Sequence, residues 1–184
     1  MNGDRFNFKK NEDGSTALEF ALLAFPFMLL VIAIVELSIF FATTTVIEGA
    51  LVDVTRLIRT GQLQAEPTLQ EMEERFVQEI CDHAGYITNC TEIEYEVRKL
   101  DSFGSDIAVA VTDDGSLDEP DFEIEEVTAG CVVMVRLLYG YKFMTPFFAD
   151  LWSNYPDDKR LILSTTVVKT EPFDFEAADN CEIS

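Results

Sequence analysis

The chain has 184 residues, with 34 acidic side chains against 13 basic ones and a formal net charge of -21. That length suits one modest domain plus an anchor and is too short for two sizeable cores. The charge opposes broad electrostatic attraction to phosphate backbones or anionic headgroups, which argues against nucleic acid as a partner.

Residues 1–14 are neutral as a group, because Arg5, Lys9 and Lys10 are matched by Asp4, Glu12 and Asp13. The acid lies downstream. From Ala21 to Val35 nothing is charged, and the apolar character continues past Glu36 to Phe41. Ala17 to Phe41 thus supplies the roughly 20 apolar residues that a membrane-spanning helix needs. A cleaved secretory signal is the competing reading, but its apolar region is roughly 7 to 15 residues long and ends at small residues. This run is longer and has no such exit. The basic residues on its N-terminal side place Met1 in the cytoplasm and the rest outside. Pro26 weakens the helix locally, which a membrane helix tolerates. Glu36 falls about 20 residues after Ala17, near the far side of a bilayer. It is read as an interface residue, with pairing to a neighbour in an assembly as the other reading.

Glu19 stands at the mouth of the apolar run. Thr16 followed by Glu19 fits a capping box, in which side chains satisfy backbone N–H groups at a helix start. A carboxylate deep in hydrocarbon and unpaired costs up to roughly 2.5 to 3.5 kcal/mol, however, and so needs a cation. The following run offers none. A cut after Gly14 would supply one, because it frees the amine of Ser15 and makes Glu19 the fifth residue.

Beyond the apolar run, Val46, Ile47, Ala50, Leu51, Val54, Leu57 and Ile58 recur at helical spacing, with Glu48, Asp53, Arg56 and Arg59 between them. One helix of about 40 residues, roughly 60 Å long, is predicted to end near Gly61. Pro67 suits the start of a second helix, with Leu69, Met72, Phe76, Val77 and Ile80 on one face. In 91–100 Ile93, Tyr95 and Val97 alternate with charged residues, the period of a half-buried strand. Residues 131–143 give a second strand with Val133, Val135, Leu137, Tyr139 and Tyr141 on one face. Residues 145–156 read as a short helix or turn with buried aromatics, and the β-branched stretch 160–170 as a third strand. The expected class is α+β: a long N-terminal helix, transmembrane then projecting, followed by a small helix and an antiparallel sheet of about three strands.

Four cysteines are an even number in a chain that reads as exported, so one or two disulfides are expected; four buried free thiols is the other reading. Cys81 lies at the end of the second helix and Cys90 just before the first strand, where a bridge would contribute about 2 to 3 kcal/mol by loop entropy. Cys131 with Cys181 rests on parity alone. His83 is the sole histidine, so a histidine-rich metal site is excluded. A nucleophile made from Cys81 and His83 is conceivable but disfavoured by their spacing at a helix end. The stretch DDGSLDEPDFEIEE (113–126) offers oxygen ligands but lacks the spacing of a calcium loop, and is read as a solvated acidic loop. No phosphate-binding glycine loop or nucleophile elbow is present. No catalytic constellation supports an enzyme.

The stretch Gly14-Ser15-Thr16-Ala17-Leu18-Glu19-Phe20 resembles the processing site of type IV prepilins, in the G-x-x-x-x-E-F form of the tight-adherence (Flp) pilus system. LEFALLAFPFMLLVIAIVE, Pro26 included, is similar to the TadE-type pseudopilin anchor. RLIRTGQLQ (56–64) and FVQEICDH (76–83) resemble its juxtamembrane and first outer segments, and VRLLYGYKFMTPFF (135–148) and TTVVKTEPF (165–173) its closing strands. The stretch 104–130 and the tail 174–184 match nothing in that pattern.

The resemblance implies a non-enzymatic minor pseudopilin in the inner membrane of a Gram-negative bacterium, without a cofactor, taking part in assembly of a Flp pilus for surface adherence. It implies a cytoplasmic leader (1–14), a transmembrane and projecting helix (15–60) and a periplasmic α+β domain (61–184). A prepilin peptidase, an aspartic protease, would cut between Gly14 and Ser15. Glu19 and Phe20 would serve assembly, with Glu19 paired to the amine of a neighbouring subunit. The implied partners are that peptidase, other Tad pseudopilins, the Flp pilin, the Tad inner-membrane assembly platform and membrane lipid. The alternative is an uncleaved single-pass anchor carrying a periplasmic binding or adhesion domain.

Overall fold

The computed structural model describes residues 15–105, 124–125, 127–155 and 157–172. Helix α1 (Ser15–Arg59) is continuous over 45 residues and runs through Pro26, a length of about 67 Å at 1.5 Å per residue. The chain divides into two compact units, Met1–Ile39 and Phe40–Ser184.

In the first unit the helix is apolar all round: Leu22, Leu23, Phe25, Phe27 and Met28 are each at least 60% exposed. Such a helix has no face to turn toward water. By length and composition it can cross a membrane. Ser38 hides its hydroxyl by donating to the Ile34 carbonyl at 2.7 Å. Thr16 is already helical, whereas a capping residue has extended backbone. The capping-box reading of Thr16 with Glu19 is therefore corrected.

In the second unit the remainder of α1 is amphipathic. Ile47, Ala50, Leu51, Val54, Leu57 and Ile58 are buried, while Glu48, Val52 and Arg56 are exposed. This half of the helix belongs to the core, so the compact unit begins inside α1 and not after it. The helix stops where Gly61, at φ 74°, supplies the left-handed residue that side chains disfavour. Its neighbours close the end: the Gln62 N–H reaches the Leu57 carbonyl at 3.0 Å and the Gly61 N–H the Ile58 carbonyl at 3.2 Å.

Helix α2 (Leu69–Ala84) starts at Thr68, whose hydroxyl oxygen accepts from the Glu71 N–H. Met72, Phe76, Ile80 and Ala84 form its buried stripe, four residues apart. Leu69, expected on that stripe, is 54% exposed and is the first residue of the helix. Strands β1 (Ile93–Leu100), β2 (Val132–Lys142) and β3 (Lys159–Lys169) form an antiparallel sheet in the order β1-β2-β3. Val97 is opposite Val135 and Val135 opposite Thr166. Helix α3 (Pro146–Trp152) joins β2 to β3. Asp157 and Asp158 turn the chain into β3 with positive φ, which aspartate tolerates.

The core lies between the helices and one sheet face, with Val97, Val133, Val135 and Leu137 almost fully buried and Phe76 5.3 Å from the Tyr95 ring. The architecture is the expected α+β one. The second face of β2 is buried as well, with Met134 0%, Arg136 4% and Leu138 1% exposed. One expectation for α3 is corrected. The aromatics of α3 are not buried as a group: Phe147 is 67% and Trp152 41% exposed, because only Phe148 and Ala149 turn toward the core.

Candidate functional site

The first helical turns of α1 carry the residues on which processing and assembly were expected to depend. Gly14 lies outside the described residues. Ser15 through Phe20 are all exposed on a regular helix, Leu18 at 68% and Phe20 at 73%. Ser15 and Glu19 are four apart, so they lie on one face, one turn from each other. The positive end of the helix dipole favours an anionic group at this end of α1. The ion pairs among the described residues leave Glu19 out. Glu36, read from sequence as an interface residue, is buried, with 2% of its surface exposed.

The second unit holds its elements together with polar contacts that the sequence reading did not find. The His83 Nδ1 is 2.9 Å from Asp53 Oδ2, tying α2 to α1. Its ring lies over Gly49, where a Cβ would come within 2.6 Å of Nε2. His83 is thus packed against α1. Cys81 is bridged to Cys90 across a Cα separation of 5.5 Å, which removes the thiol that a Cys81–His83 nucleophile would need. Cys131 is fully buried, and its N–H donates to the Thr170 hydroxyl at 2.9 Å. The expected pairing of Cys131 with Cys181 involves a residue outside those described.

Arg136 reaches Glu96 at 2.7 Å with both side chains nearly buried, and its Nε donates to the Thr165 hydroxyl at 3.2 Å. The register explains this: Glu96, Arg136 and Thr165 are direct cross-strand neighbours. Only an alignment of the three strands could have revealed it. Arg59 pairs with Glu171 at 3.0 Å, and the Glu171 N–H donates to the Arg59 carbonyl at 2.8 Å, fastening the end of α1 beside the end of β3.

An open cleft of about 190 Å³ lies beside the disulfide, lined by Val77, Ile80, Cys81, Cys90, Thr91, Ile93 and Tyr95. Its one titratable group is the Tyr95 phenol, which donates to Glu73 at 2.7 Å. Burial, reinforced by the Glu73 hydrogen bond and charge, pushes that phenol up to about 12. A phenol held neutral is a poor acid–base group at ordinary pH. Among the described residues no cluster of three or more His, Cys, Asp or Glu could hold a metal ion. Most of the acidic stretch 113–126 lies outside the described residues. Of its members, Glu125 accepts the Lys99 N–H at 2.7 Å and donates its own N–H to the Val97 carbonyl at 3.0 Å, covering part of the β1 edge.

One family matches, over residues 14–56, and its description is TadE-like protein. These residues are TadE-like. The TadE-like segment opens on Gly14, takes in Ser15, Glu19 and Phe20, and ends three residues short of the α1 terminus. It therefore contains the exposed apolar helix and most of the amphipathic half, and leaves the sheet, α2 and α3 outside. The match is consistent with a TadE-type protein of the Tad pilus system. No curated protein and no solved structure matches the chain.

Proposed function

We propose that the chain is a minor pseudopilin of the TadE type, taking part in assembly of a Flp pilus for surface adherence. The observation that carries this reading is the TadE-like segment, because it spans both the G-x-x-x-x-E-F stretch and the anchor. In this reading a prepilin peptidase cuts between Gly14 and Ser15 on the cytoplasmic face. The freed amine of one subunit then neutralises Glu19 of its neighbour as apolar helices pack side by side. Phe20 and the exposed residues that follow supply the packing surface. The first part of α1 crosses the inner membrane, and the unit from Phe40 onward, with the rest of α1 in its core, is the periplasmic domain. The Flp pilin, other Tad pseudopilins and the Tad assembly platform are its partners.

Electrostatics support the minor role. A net charge of -21 opposes unguided packing of like domains into a long repeat. A carboxylate pairing with an incoming amine also gives a register to the helix bundle, since an unpaired charge in hydrocarbon is penalised. The test is Gly14→Ala in a host that assembles the pilus. The reading expects the variant to keep its leader, remain in the membrane and fail to support assembly. Normal assembly by the uncut variant would remove the pseudopilin reading and leave the uncleaved anchor with a periplasmic binding or adhesion domain.

A further inference from the structure

Beside the Cys81–Cys90 bridge the second unit leaves an apolar opening that its own core does not fill. The cleft, about 190 Å³, lies between α2, which contributes Val77 and Ile80, and the start of β1, which contributes Ile93 and Tyr95. That is smaller than the roughly 300 to 1,000 Å³ of a small-molecule or cofactor pocket. It has the size of a large side chain. The polar groups on its wall are already engaged: the Tyr95 phenol donates to Glu73 at 2.7 Å, and the Thr91 hydroxyl donates to Asn89 Oδ1 at 3.0 Å. A polar occupant would find few partners there, whereas an apolar one would lose only water. The bridge, with the Gly85 N–H reaching the Cys81 carbonyl at 2.8 Å, holds this wall in place. A preformed site spares a partner the cost of ordering it. On the loop that the bridge closes, Tyr86 is 91% and Ile87 49% exposed, and tyrosine is a residue type that anchors interfaces.

The charge around the cleft selects the occupant. Residues 66–95 carry eight acidic side chains and, besides His83, one basic one, Arg75. The cations that reach this region are already matched: Arg75 pairs with Glu66, His83 with Asp53 and Lys159 with Glu92. Glu73 and Glu74 are in none of the ion pairs among the described residues. With Val77 and Cys81 they share the helix face that borders the cleft, at positions three and four apart. Glu73 stands at the rim itself, since it holds the phenol of Tyr95. The apolar opening is thus edged by negative charge that nothing in the second unit balances.

We propose that this cleft is the docking site for another protein, which inserts one apolar side chain between α2 and β1 and sets a flanking lysine or arginine against Glu73 and Glu74. Tyr86 and Ile87 extend the contact from the adjoining loop. A second copy of this chain is disfavoured, because it would bring like charge against like charge. The site lies wholly within the second unit. It depends neither on cleavage after Gly14 nor on α1 crossing a membrane.

The test uses the full chain in neutral detergent micelles and a fluorescein-labelled peptide with one leucine between two pairs of lysines, read by fluorescence polarisation against protein-free micelles. Saturable binding that weakens with salt is expected. Serine in place of the leucine should weaken it about tenfold, the worth of one buried aliphatic side chain. Glu73→Gln with Glu74→Gln should weaken it about threefold. Thr91→Trp, which fills the cleft from an exposed position on its wall, should remove most of it, with circular dichroism checking the fold. The serine comparison uses the unaltered chain and so needs no variant to fold. Absence of binding overturns the proposal. Equal binding of the serine peptide means attraction by charge alone, and unchanged binding to a folded Thr91→Trp places the peptide elsewhere; either overturns it. Equal binding of a peptide with glutamates for lysines overturns the selection by charge. A dimer, seen by light scattering, whose formation excludes the peptide means that a second copy fills the cleft, which also overturns it. None of these outcomes bears on the cut after Gly14.

Discussion

The Cys81–Cys90 bridge offers a prediction whose size follows from the chain. It closes a loop with a sequence separation of 9, for which the chain-entropy relation gives about 2.6 kcal/mol at 25 °C. The native loop has its own supports: the Gly85 N–H reaches the Cys81 carbonyl at 2.8 Å, and the Thr88 N–H and hydroxyl reach the Ala84 carbonyl at 3.0 and 2.8 Å. Its Cα separation of 5.5 Å needs no backbone movement to reach. The bridge should therefore act on the unfolded chain, and its removal should leave the native loop in place. Cys81→Ser with Cys90→Ser is expected to lose about 2.6 kcal/mol, which lowers the melting temperature by about 9 °C for a folded unit of this size. The assay is urea unfolding of the full chain in detergent micelles, followed by circular dichroism, with amide exchange of residues 84–90 as the structural control. A loss under about 1 kcal/mol would refute the entropic reasoning. So would a loss above about 5 kcal/mol with exchange spreading into β1, because the bridge would then be holding native packing.

Phe76→Ala removes a ring that is 1% exposed and tilted against Tyr95. It should cost about 3 to 5 kcal/mol in the same unfolding assay, and a cost below about 1.5 kcal/mol would mean that α2 does not close the core. Gly61→Ala forces a side chain into a left-handed position at φ 74° and should cost about 1 to 2 kcal/mol, against no change if the α1 terminus frays instead. The Tyr95 phenol titrates near 12 in the folded state, above its ordinary value near 10. Its contribution to stability is fully present below about pH 10 and is lost as pH rises toward 12. Phenolate absorbance should show late-titrating tyrosine, since burial raises Tyr139 and Tyr155 as well. Because burial is the largest single cause, Glu73→Gln should leave the phenol still raised, and a return to an ordinary phenol would contradict that ranking.

The sequence made some of these elements legible because their signals are local. Gly61 marked the end of α1 since glycine readily takes the left-handed conformation that closes this helix, and alternation in 91–100 marked β1 because side-chain direction has a period of two. Periodicity does not say what lies across from a face. The alternation in 131–143 thus does not reveal that Met134, Arg136 and Leu138 are buried too. The Glu96–Arg136 pair depends on register, and the Asp53–His83 pair on how two helices cross; neither is written in local spacing. Aromatic content made α3 look like core, yet a short connecting helix can bury only one side, and Phe147 and Leu151 are on the other. At the start of α1 the motif was legible from residue types alone. The placement of Glu19 and Ser15 on one face follows from the helix.

Cleavage after Gly14 is the event on which the account turns, and the intact mass of protein purified from membranes of a host carrying the cognate peptidase tests it most directly. The account predicts a chain beginning at Ser15, with or without a methyl group on its amine, so that Glu19 has a cation to meet. A chain still beginning at Met1 would contradict it and leave α1 as the anchor of an unprocessed protein.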